Sequence, residues 1–75
     1  MEAFSQIQLV RLLLTRLERV SVDSYWAHRA SGVRGALLRA LEKMEVGQAV
    51  DEQGLKHLMD RGFQILEQAA QERSQ

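Results

Sequence analysis

The chain has 75 residues, no cysteine and no proline, with 10 Lys and Arg against 10 Asp and Glu. Without thiols it has no disulfide framework and no thiolate zinc site, and zero formal charge gives the whole molecule no long-range pull towards nucleic acid or anionic lipid. A chain this short removes only about 60% of its accessible surface on folding, so a single domain spanning 1–75 with a thin core is expected, and self-association is a common remedy.

The amino-terminal stretch MEAFSQIQLVRLLLTRLERV has no basic leader region, and Arg11, Arg16, Glu18 and Arg19 interrupt its apolar residues. It reads as neither a signal peptide nor a membrane span, and the expected address is cytoplasmic. Instead, its pattern predicts a helix over about 5–20. Ser5 and Gln8 have capping-box spacing, with Phe4 and Leu9 placed as the hydrophobic staple. Ile7, Leu9, Val10, Leu13, Leu14, Leu17 and Val20 fill an arc of about 160° at 100° per residue, wider than one neighbour needs. Leu12 stands on the otherwise polar side, and together with Leu9 and Leu13 it marks the expected contact between two copies of the chain.

Ser21, Asp23 and Ser24 compete for local backbone groups and break the helix, with Asp23 or Ser24 as the cap of a second helix over about 25–45. Its core stripe is Trp26, Ala30, Val33, Leu37, Leu41 and Met44, and Gly47 supplies a left-handed C-terminal residue. A third helix is predicted over about 52–71, capped by Asp51. Leu55, Leu58, Met59, Gly62, Phe63, Ile65, Leu66, Ala69 and Ala70 form its apolar face, and a polar tail follows at 72–75. Short connections make consecutive helices antiparallel. The expected fold is therefore all-α, a three-helix antiparallel bundle completed by self-association, a homodimer in the simplest case.

The first half of the second helix is unusual. Ala27, Ser31 and Gly35 repeat every four residues, as do Gly32, Ala36 and Ala40, and two mid-helix glycines cost about 2 kcal/mol of propensity against alanine. A close helix crossing within the bundle is the structural explanation, and a partner seated in the hollow is the functional one. On the same helix Tyr25, His28, Arg29, Gly32, Arg39 and Lys43 share a basic stripe without an acid. Three uses are open to it: ion pairing with the acids of the third helix (Asp60, Glu67, Glu72), phosphate binding, or plain solvation. Charge is also uneven along the chain. Residues 1–43 hold seven Lys and Arg against four acids, whereas residues 44–75 hold three against six.

Other chemistry has little support. His57 and Asp60 stand at i and i+3, two donors where a structural zinc site takes about four. No nucleophile elbow, phosphate loop or HExxH pattern occurs, so no catalytic residue, cofactor or metal is expected. A helix-turn-helix reading of LLRALEKMEVGQAVDEQGLKHLMDRG fails because the would-be recognition helix opens on Asp51 and Glu52, which repel phosphate. The sequence thus predicts a small interaction or regulatory module that contacts a protein or peptide through Tyr25, His28, Arg29, Gly32, Gly35, Arg39 and Lys43. Nucleic-acid binding by the same basic face is the alternative.

Overall fold

A computed structural model describes residues 2–73, with side chains over 5–72. It contains three helices, α1 (Glu2–Glu18), α2 (Ala27–Glu45) and α3 (Glu52–Arg73). They form a rod of 42 × 19 × 19 Å. Gln6 reaches Glu52 at one end of α1 and α3, while Ser24, at the entrance to α2, reaches Glu72 near the end of α3. The order is therefore up-down-up, with α1 and α3 parallel and α2 antiparallel to both, as the short connections require.

The core follows the predicted stripes. Val10, Leu13, Leu14 and Leu17 of α1 bury against Ala30, Val33, Leu37 and Leu41 of α2 and Leu55, Ile65 and Ala69 of α3. Trp26 and Met44 are half-buried at the two ends of the α2 stripe and pack against this cluster. No buried polar side-chain atom lacks a partner among the described residues. The buried core is apolar among the described residues, and the polar contacts between helices lie at its exposed edges, which at this chain length makes area removed from water the main stabilising term.

Helix boundaries show where local signals compete. α1 already runs at Glu2, so Ser5 lies inside it and is not the start of a capping box. Glu2 and Ala3 are good helix formers, and no Gly or Pro ahead of Ser5 turns the chain out of the helix. The side chain of Phe4, and with it the proposed staple, lies outside the described residues. At its other end α1 tightens through bonds of the i−3 type, Arg19 N–H donating to Arg16 O at 3.1 Å and Val20 N–H to Leu17 O at 3.2 Å.

The α1–α2 connection is a chain of short-range bonds. Asp23 N–H donates to Ser21 Oγ at 3.2 Å and Trp26 N–H to Ser24 Oγ at 3.0 Å. α2 begins only at Ala27, two residues later than the pattern predicts, and its flanking residue Trp26 has no side-chain cap. A carboxylate from another helix takes that place. Glu72 accepts from Ser24 Oγ at 2.6 Å and from Tyr25 N–H at 3.2 Å, setting negative charge at the amino end of α2 where the helix dipole favours it.

α2 ends as predicted. Gly47 has φ +77°, Gly47 N–H donates to Met44 O at 3.2 Å and Gln48 N–H to Lys43 O at 2.9 Å, which together make a Schellman closure. Gly47→Ala should therefore lower stability by about 1 kcal/mol. Thermal unfolding should show a melting point lower by about 4 to 8 °C; an unchanged value would mean the closure adds nothing. α3 starts at Glu52 directly after Asp51, whose carboxylate lies over the first turn: a Cβ at Gly54 would stand 2.8 Å from Asp51 Oδ2.

Close packing occurs at a different glycine from those singled out in the sequence. A Cβ at Gly62 of α3 would stand 3.0 Å from Leu13 Cδ2 and 3.2 Å from Leu13 Cδ1. At Gly32 it would meet nothing within 4 Å, and at Gly35 only Arg39 Nη1 at 3.8 Å. Leu13 of α1 therefore packs directly on the backbone of α3 at Gly62, while neither Gly32 nor Gly35 of α2 admits a close neighbour inside the bundle.

Candidate interaction surface

From His28 to Lys43 the basic stripe lies where helical periodicity puts it, along the outer side of α2, while Tyr25 stands in the turn before the helix. Tyr25, His28, Arg29, Gly32, Arg39 and Lys43 are all exposed, and Gly35 is half-buried. Both small-residue rows wind the same way round the helix: Gly32, Ala36 and Ala40 turn in towards α3, and Ala27, Ser31 and Gly35 lead along the outer side to Arg39 and Lys43.

Their angular offset decides which small-residue row borders a groove. Between the second half of α2 and the start of α3 lies a hollow of about 470 Å³. Ala36 and Ala40 form its α2 wall, Val50, Leu55 and Leu58 its apolar floor, and Arg39 and Lys43 its basic rim, with Asp51 at the far end. Farther along the same two helices a second hollow of about 480 Å³ is lined by Trp26, Arg29, His57, Arg61, Gln64 and Gln68. The Arg29 guanidinium carbon sits 5.2 Å from the centre of the Trp26 ring, and Tyr25 meets the same ring edge-on at 5.3 Å. The indole holds the arginine at the groove's edge, an arrangement worth about 0.5 to 1 kcal/mol at an exposed site.

Sequence reasoning missed His57 and Arg61 as members of this surface. His57 had been paired with Asp60 along α3, but the two border different grooves: His57 faces the α2 side and Asp60 lines a hollow on the α1 side. The available signal was the i, i+4 spacing of His57 and Arg61, which puts them on one face with Gln64 and Gln68. Among the described residues no group of three or more His, Asp or Glu side chains is placed to hold a metal ion.

The cations of this surface have no ion-pair partner among the described residues. The ion pairs there join α1 to α2: Arg11 with Glu45, and Arg34 with Glu18 at 3.8 Å. Glu72 is engaged at the start of α2, and Asp60 and Glu67 lie on the side of α3 turned from α2 by their position on its wheel. Pairing of the stripe with third-helix acids inside one chain is therefore not what the fold provides. From Arg29 to Lys43 the cationic edge extends about 21 Å.

The three residues expected to join two copies separate. Leu13 is 1% exposed and packs on Gly62 in the core of its own chain, so it has no surface to offer a second copy. Leu9 and Leu12 are exposed at 39% and 49%. No helix among the described residues is long and apolar enough to cross a membrane.

No family model, curated protein or solved structure matches the chain.

Proposed function

We propose that the protein is a small helical interaction module, acting in the cytoplasm, whose α2–α3 groove receives an acidic amphipathic helix or peptide of a protein partner. The observation that carries this reading is an apolar floor of Val50, Leu55 and Leu58 beneath a wall of Ala36 and Ala40, flanked by cations without ion-pair partners among the described residues, Arg39 and Lys43 at one end and Arg29 and Arg61 at the other. A helix laid in the groove buries its apolar side on the floor and sets its carboxylates against the rim. Gly32, with nothing within 4 Å of its missing Cβ, lets the partner's backbone come close to α2.

Small alanine walls and a recessed floor favour a side chain or helix over a phosphate backbone, which needs cations but no apolar floor. The test is titration of isotope-labelled protein with a short acidic amphipathic peptide, with its Glu→Gln counterpart, and with a single-stranded oligonucleotide. Amide shifts should cluster at Ala36, Ala40 and Leu58, the neutral peptide should bind more weakly, and Arg39→Glu with Lys43→Glu should reduce affinity by about tenfold or more. Tighter binding of the oligonucleotide, lost steeply by about 0.5 M salt, would replace this reading with nucleic-acid binding through the same cations.

A further inference from the structure

A second surface lies on the other side of α3, along its seam with α1. Leu9 stands on the α1 side of this seam, with Leu12 one turn on and about 60° farther round the helix, and Phe63, 45% exposed, stands on the α3 side, with half-buried Met59 and Leu66 packed against the core beside it. Leu9, Met59 and Phe63 share one hollow of about 440 Å³. Single exposed leucines are ordinary on a soluble protein, but three large apolar side chains bordering one seam form a patch that calls for a cover.

The position of Phe63 has a physical cause. Leu13 sits directly on the backbone of Gly62, so the space between α1 and α3 at that level is filled by the leucine and leaves no room for a phenyl ring. The residue one step along, about 100° around the helix, is left on the flank.

The geometry points to a second copy of this chain as the cover. On this flank of α1 the charges are Arg16 and Arg19, whereas the matching flank of α3 carries Asp60 and Glu67 beside Lys56. Arg16, Asp60 and Glu67 have no ion-pair partner among the described residues. Because α1 and α3 are parallel, a two-fold axis running along the seam lays α1 of each copy on α3 of the other. Leu13 marks the level of Gly62, so Leu12 and Arg16 fall level with residues 61 and 65 of the second copy, about 3 Å along the axis from its Phe63 and Glu67 and within side-chain reach of them. Symmetry satisfies each of these contacts twice, and zero net charge removes overall repulsion between copies. This surface lies across the bundle from the α2–α3 groove and does not rest on the reading of that groove.

The decisive experiment is sedimentation equilibrium of the full chain over a range of concentrations, with helicity and thermal unfolding recorded for each variant. The wild type should reach the mass of a dimer. Leu12→Lys should weaken association by about tenfold or more, since it sets an unpaired charge at the centre of the contact. Arg16→Glu and Glu67→Arg should each weaken it, and the two together should restore it, because the swap returns opposite charges to facing positions. A wild type that is monomeric at every concentration overturns the proposal, as does a Leu12→Lys variant of unchanged mass or a charge swap that fails to restore association.

Discussion

Leu37→Ala is expected to destabilise the domain by about 3 to 5 kcal/mol, through lost transfer energy and the cavity left among side chains of three helices. Leu37 is 0% exposed, halfway along α2, and with Leu13 and Val10 it is one of the largest fully enclosed side chains. A domain of this size has about 4 to 11 kcal/mol in total, so the variant should lose more than about 15 °C in melting temperature or fail to fold at room temperature. Leu38 is the control. It follows Leu37 in sequence but is 46% exposed, and Leu38→Ala should change stability by no more than about 0.5 kcal/mol. Equal effects at the two positions would mean that α2 is rotated about its axis relative to the arrangement described above.

Replacing both open glycines of α2, Gly32→Ala and Gly35→Ala, should raise stability by about 2 kcal/mol together. Neither new methyl group meets an obstacle: at Gly32 nothing lies within 4 Å, and at Gly35 the nearest atom is the movable end of Arg39 at 3.8 Å. The gain is helical propensity and a less disordered unfolded chain, read as a rise of about 8 to 16 °C in melting temperature. Gly62 should behave in the opposite sense. Gly62→Val drives branched carbons into Leu13, itself enclosed on every side, and should cost about 1 to 3 kcal/mol. A double alanine variant that is less stable than the wild type would show that the α2 glycines have an internal structural role. If it is more stable but binds the acidic peptide less well, the glycines are retained for the partner's approach.

The two glycine sites also mark how far the sequence could be read. Small residues at four-residue spacing on the second helix suggest glycines that admit a close neighbour, yet the glycine that does so inside the bundle is Gly62, a lone glycine inside an otherwise ordinary apolar stripe. Spacing reports which residues share a face of their own helix; it carries nothing about how near a neighbouring axis comes to that face. Phe63 was assigned to the core for the same reason, and Leu13 to the surface between copies. On a wheel each sits within the apolar arc, but Leu13 is enclosed where it packs on Gly62, and Phe63, one step round the helix from that glycine, is turned out.

Termini divide along the same line. Gly47 was readable because a left-handed closure depends on one residue's own backbone freedom. The entry to α2 was not, because the group that satisfies Ser24 and Tyr25 is the carboxylate of Glu72, 47 and 48 residues away in sequence. Ser5 misled in the other direction: its capping-box spacing is a local option, and continued helix through Glu2, Ala3 and Phe4 outcompetes it.

By itself the sequence determined what depends on local backbone preference and on periodicity: three helices, the central residues of each stripe, the stop at Gly47 and the basic outer side of α2. Only the tertiary structure decided which of those cations flank an apolar groove, that His57 and Arg61 join them, and that Leu9, Leu12 and Phe63 border one seam. The reason is geometric. Angular position about one helix is set by residue number alone, whereas a groove or a seam exists between two helices, and their separation is set by side chains distant in the chain, here by Leu13 resting on Gly62.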